Sequence, residues 1–86
     1  MVRKLGFQKG DVVLFEGFIG SSKEEMDWKR AKVIGEIHDW AWYRVLWTCD
    51  ESAWTLGGTY GHVDCWKKRT LLSEIEAKKW KLMGAL

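Results

Sequence analysis

Eighty-six residues are enough for one hydrophobic core and too few for two, so the chain reads as a single domain over residues 1–86. A composition of 47% hydrophobic and 30% charged residues excludes disorder throughout, and a net charge of +2 singles out no class of partner. No run approaches the roughly 18 consecutive apolar residues of a membrane span, and MVRKLGFQKG lacks the apolar stretch of a secretory signal. A cytoplasmic protein with no membrane partner is therefore expected. In that compartment Cys49 and Cys65 stay reduced.

In chain order, DVVLFEGF (11–18) is rich in β-branched and aromatic residues and reads as a strand. SSKEEMDWKR (21–30) is a polar loop in which Ser22 and Glu25 have the spacing of a capping box. AKVIGEIH (31–38) alternates like a strand, with Gly35 marking a bulge or sharp bend. WAWYRVLWTC (40–49) carries the strongest strand signal in the chain. DESA (50–53) is a turn, and WTL (54–56) with TYGHVDCW (59–66) supplies one or two further short strands around Gly57 and Gly58. The period then changes. Ser73 and Glu76 form a second capping box, EIEAKKWKLM (74–83) contains good helix formers, and Gly84 stands where a C-cap glycine belongs. Leu71, Leu72, Ile75, Trp80, Leu82 and Met83 make a broad apolar arc that is expected to lie on a sheet.

Short strands, glycine-rich turns and a terminal helix point to a mainly β fold, a small antiparallel barrel or strongly bent sheet with a C-terminal α-helix over 73–84. The segments KGDVVLFEG, WKRAKVIGEI, WYRVLWT and GTYGHVDCW resemble the strand order of SH3-like small β-barrels over about residues 9–72. Within that broad class the likeness is to chromatin-reader, integrase C-terminal and mind-bomb-type members, without singling out one family.

Seven tryptophans are present, and four of them lie between residues 38 and 54. Strict alternation along 40–49 puts Tyr43, Val45, Trp47 and Cys49 on one face, expected inside, and Trp40, Trp42, Arg44, Leu46 and Thr48 on the other. Two coverings of this second face compete: the terminal helix, through Trp80, or a protein partner. Rings beside arginine are the composition of an interface hot spot. Trp40, Trp42, Arg44 and Leu46 are thus the expected partner-binding surface, with Trp28, Trp54 and Tyr60 at its rim. The resemblance to chromatin readers adds a cage for methylated lysine among Trp28, Trp40, Trp42, Trp54 and Tyr60. A symmetric homodimer through the same face is a further arrangement beside the monomer.

Other constellations are weaker. His38, Cys49, His62 and Cys65 are zinc-ligand types, but only His62 and Cys65 have chelating spacing, so no metal or other cofactor is expected. Ser73, His62 and Asp64 lack a nucleophile-elbow pattern, and the glycines at 57, 58 and 61 do not spell a phosphate loop. No enzyme is expected. Nucleic acid is the rival partner. Residues 66–86 hold Lys67, Lys68, Arg69, Lys78, Lys79 and Lys81 against two acids, net +4, and Lys29, Arg30 and Arg44 lie near rings. The remaining residues total −2, and Asp39, Asp50, Glu51 and Asp64 in the turns would repel phosphate. The reading that results is a non-enzymatic interaction module for a protein partner, similar in size and style to small phage- or mobile-element-encoded modulators of larger complexes.

Overall fold

The computed structural model describes residues 6–19, 28–39, 41–50 and 52–84. Trp40 and the capping box expected from Ser22 and Glu25 lie outside the described residues. Among the described residues six strands and one helix follow in order: β1 (Val12–Ile19), β2 (Lys29–Asp39), β3 (Trp42–Cys49), β4 (Trp54–Leu56), β5 (Tyr60–His62), a 3-10 turn (Val63–Cys65), β6 (Lys68–Leu71) and α1 (Glu74–Gly84). All pairings are antiparallel. The sheet runs β4-β3-β2-β1-β6, with β5 also on β3, and it is a bent, open sheet and not a closed barrel.

Two bulges decide which side chains face where. Ile34 is opposite Trp47 and Gly35 is opposite Val45, so Leu46 is an extra residue in β3. An extra residue reverses the alternation beyond it. Trp47, expected inside with Tyr43 and Val45, therefore joins Leu46 on the outer face, and Leu46, expected at a partner surface, is only 5% exposed. The bulge sits where glycine permits it, because a Cβ on Gly35 would come within 2.7 Å of the Tyr43 ring and 3.0 Å of the Arg44 carbonyl. The second bulge leaves His38 extra between the pairs Ile37/Tyr43 and Asp39/Trp42.

The inner face of the sheet is its main core. Val13 and Phe15 of β1, Ala31, Val33 and Ile37 of β2, and Tyr43 and Val45 of β3 close over Val63 and Trp66. Phe15 stacks on Tyr43 at 4.3 Å between ring centroids. The Trp66 indole N–H donates to the Tyr43 hydroxyl at 2.6 Å, which satisfies the polar atoms of two large buried rings with one another. β6 holds this layer together by pairing with β1 from Val13 opposite Leu71 to Glu16 opposite Lys68.

The outer face forms a second core of Val12, Ile34 and Leu46, covered by Leu72, Ala77 and Trp80 around α1. The Ser73 hydroxyl accepts the Glu76 N–H at 3.3 Å, so the expected N-cap is formed. Gly84 is the last helical residue, where it approaches Leu46 and Trp47, instead of a left-handed stop. The docked stripe is Ala77, Trp80 and Gly84, at helical spacings of three and four. Ile75 and Leu82 each stand two residues from that stripe, about 200° around the helix. They are accordingly 82% and 72% exposed, and Leu71 and Met83 are exposed too, so only Leu72 and Trp80 of the expected arc are packed on the sheet. Small residues at 77 and 84 let the helix approach closely while the Trp80 ring fills the space between Trp47 and Trp54, at 5.8 and 5.4 Å.

Candidate binding surface

The helix crosses the outer face obliquely, from Val12 and Leu72 at one side to Leu46, Trp47 and Trp54 at the other. The Lys81 ammonium reaches the Glu36 carboxylate at 3.2 Å midway. Beyond that ion pair no described residue covers the sheet, and the ends of β2, β3 and β5 bring together His38, Trp42, Arg44, Tyr60 and His62. Register accounts for the grouping: Trp42 is opposite His62, and Arg44 is opposite both Tyr60 and Glu36. The Trp42 and His62 rings meet edge to face at 4.9 Å, and the His38 and Tyr60 rings tilt together at 5.2 Å. The bulge at His38 is the reason its ring reaches β5.

The patch is aromatic, wet and close to neutral. Trp42 is 46% and Tyr60 58% exposed. Glu36, the carboxylate across from Arg44, is engaged by Lys81, and among the described residues no carboxylate pairs with Arg44. His62 Nδ1 accepts the Asp64 N–H at 3.2 Å, which puts the proton of the neutral ring on Nε2, facing away from that turn. Gly61 lies between Tyr60 and His62 against the Tyr43 ring, where any Cβ would collide, so the close approach of β5 depends on it. Behind the patch, burial pushes the Tyr43 phenol up from its ordinary value, partly offset by the hydrogen bond from Trp66.

Of the residues expected at a partner surface, Trp42, Arg44 and Tyr60 come together here and Leu46 does not. Trp54 is opposite Cys49 at the far end of β3 and packs on Trp80, so it is part of the helix contact. Trp28 is exposed at the start of β2, away from this end. Seven strand positions separate Trp42 from Cys49, about 23 Å, so among the described rings proposed for a cage Trp28 and Trp54 do not converge with Trp42 and Tyr60. Absent from the expected surface are His38 and His62, which the sequence offers as metal-ligand types and, for His62, as a triad type; their signal is proximity in strand register, which for His38 depends on a bulge.

Among the described residues no three of His, Cys, Asp and Glu come close enough to share a metal ion, and Cys49 and Cys65 are both free thiols. The basic residues of the C-terminal segment do not form one surface. Arg69 is tied to Asp64 at 3.2 Å and Lys81 to Glu36, Lys79 lies over the Trp80 ring, and Lys78 is on the helix. Lys67 and Lys68 lie at the opposite end of the sheet, beside Phe18 and Glu16. Among the described residues no helix is long and apolar enough to cross a membrane. Comparison with family models, with curated proteins and with solved structures finds no match for this chain.

Proposed function

We propose that this chain is a non-enzymatic binding module that engages a protein partner through Trp42, Tyr60 and Arg44, with His38 and His62 completing the contact. The observation that carries the reading is the half exposure of Trp42 and Tyr60 on the part of the outer face that the helix leaves open. Each ring is braced by an imidazole, so little side-chain freedom remains to be lost on binding. Covering the exposed half of one such ring removes about 100 Å² from water, worth about 2–3 kcal/mol. The partner surface that fits has an apolar pocket for Trp42 and a carboxylate for Arg44. The final strand returning to the first is compatible with the SH3-like order inferred from the strand motifs.

The test is quantitative binding of a partner isolated with the wild-type chain as bait. Trp42→Ala and Tyr60→Ala are expected to weaken that complex at least about tenfold, the scale of an interface hot spot, while the circular dichroism spectrum and melting temperature stay near wild type. Unchanged affinity in both folded variants would refute the reading.

A further inference from the structure

The other end of the outer face, which no described residue covers, has the opposite chemistry. There Phe18 is opposite Arg30, and Glu16 lies between Lys32 of β2 and Lys68 of β6. The Lys67 ammonium sits 5.3 Å from the centre of the Phe18 ring. These residues, with Gly17 and Ala31, line a shallow depression of about 380 Å³. Four cations thus surround one carboxylate, and that carboxylate is 3.9 Å from Lys68. Phe18 is 46% exposed in their midst.

We propose that this end of the sheet is a second binding site, for single-stranded nucleic acid, with a base stacked on Phe18 and the flanking phosphates on Arg30, Lys32, Lys67 and Lys68. The excess of positive charge selects a polyanion. The flat ring among the cations selects an unstacked base, which a single strand presents and a duplex does not. An acidic protein would satisfy the cations while leaving Phe18 without a matched surface. Of the acids that weigh against phosphate binding, Asp39 and Asp64 lie at the Trp42 end, with Asp64 held by Arg69, while Asp50 follows Cys49, opposite Lys32, at this end. The joining segment 20–27 adds Glu24, Glu25 and Asp27 against Lys23 in sequence, so the expected affinity is modest, on the order of 10 µM at low salt.

Fluorescence anisotropy with a labelled oligothymidylate of about twelve nucleotides tests this, since that length spans one small-barrel site. Three neutralised phosphates give a slope of about −2 in log affinity against log salt. Phe18→Ala is expected to weaken binding about fivefold or more through lost stacking, while Phe18→Trp preserves it. Lys32→Gln with Lys68→Gln should flatten the salt slope, and Trp42→Ala should change nothing, which separates this site from the protein-binding one. Circular dichroism confirms that each variant is folded. Absence of binding at low salt, indifference to Phe18→Ala, or equal competition by polyglutamate at matched charge would each overturn the proposal.

Discussion

Trp47 and Trp80 meet with ring centroids 5.8 Å apart and planes inclined at 60°, and this pair joins the helix to the sheet. The contact exists because Leu46 is an extra residue in β3, which turns Trp47 outward to where α1 lies. Without the bulge, strict alternation would turn Trp47 inward and put Leu46 and Thr48 on that face.

Trp80→Ala should therefore cost about 2–3 kcal/mol, toward the low end for a large ring because Trp80 is only partly buried. Leu82→Ala, on the exposed side of the same helix, should change stability by less than about 0.5 kcal/mol. Urea denaturation of the two variants measures both. Equal losses would mean that the helix docks through a different stripe.

Which parts of this were legible beforehand follows from the range of each signal. β1, β2, β3 and the helix are announced by local patterns: β-branched runs, an aromatic run and a capping serine whose hydroxyl is in place. β6 is not, because Lys67-Lys68-Arg69 has no apolar alternation and becomes a strand only by pairing with β1. The candidate surface was half visible. Trp42, Arg44 and Tyr60 were identifiable by residue type, but Leu46 is lost to the helix docked over it and the gain of His38 depends on a single-residue bulge. Periodicity carries no record of an inserted residue until its partner strand is known. The stripe Ala77, Trp80 and Gly84 was hidden for another reason. Hydrophobicity ranked Ile75 and Leu82 above two small residues whose merit is that they permit close approach.

The glycine in β2 is under a stricter constraint than Gly58 in the loop. Gly35→Ala should destabilise the chain by about 2 kcal/mol, because the new methyl would press on the Tyr43 ring and a carbonyl that cannot both retreat. Gly58→Ala meets nothing within 4 Å and serves as the control, with a change below about 0.5 kcal/mol. Thermal melts compared at one pH read the difference.

Tyr43 gives stability an alkaline limit. Its folded-state phenol is raised above the ordinary value of 10.0 by burial, so the folded chain holds that proton more tightly than the unfolded chain does. The stabilisation is whole below about pH 10 and is lost as pH rises through the higher folded value. Tyr43→Phe should flatten this decline while costing about 1 kcal/mol at neutral pH, since the Trp66 N–H loses its acceptor. Denaturation midpoints between neutral pH and pH 11 test the sign. An alkaline decline of the same steepness in Tyr43→Phe would contradict it. Tyrosinate absorbance in Tyr60→Phe, which leaves Tyr43 as the sole phenol, reads the titration directly.

The central claim is that the helix leaves the Trp42 end of the sheet open for a protein. Its most direct measurement is photo-crosslinking in the cells that make the chain, with p-benzoylphenylalanine placed in turn at positions 42, 60, 18 and 80. Adducts to one and the same protein from 42 and 60, with none to it from 18 or 80, are the predicted result. Adducts to a protein from 80 alone, or from 18 with none from 42 and 60, would contradict the account.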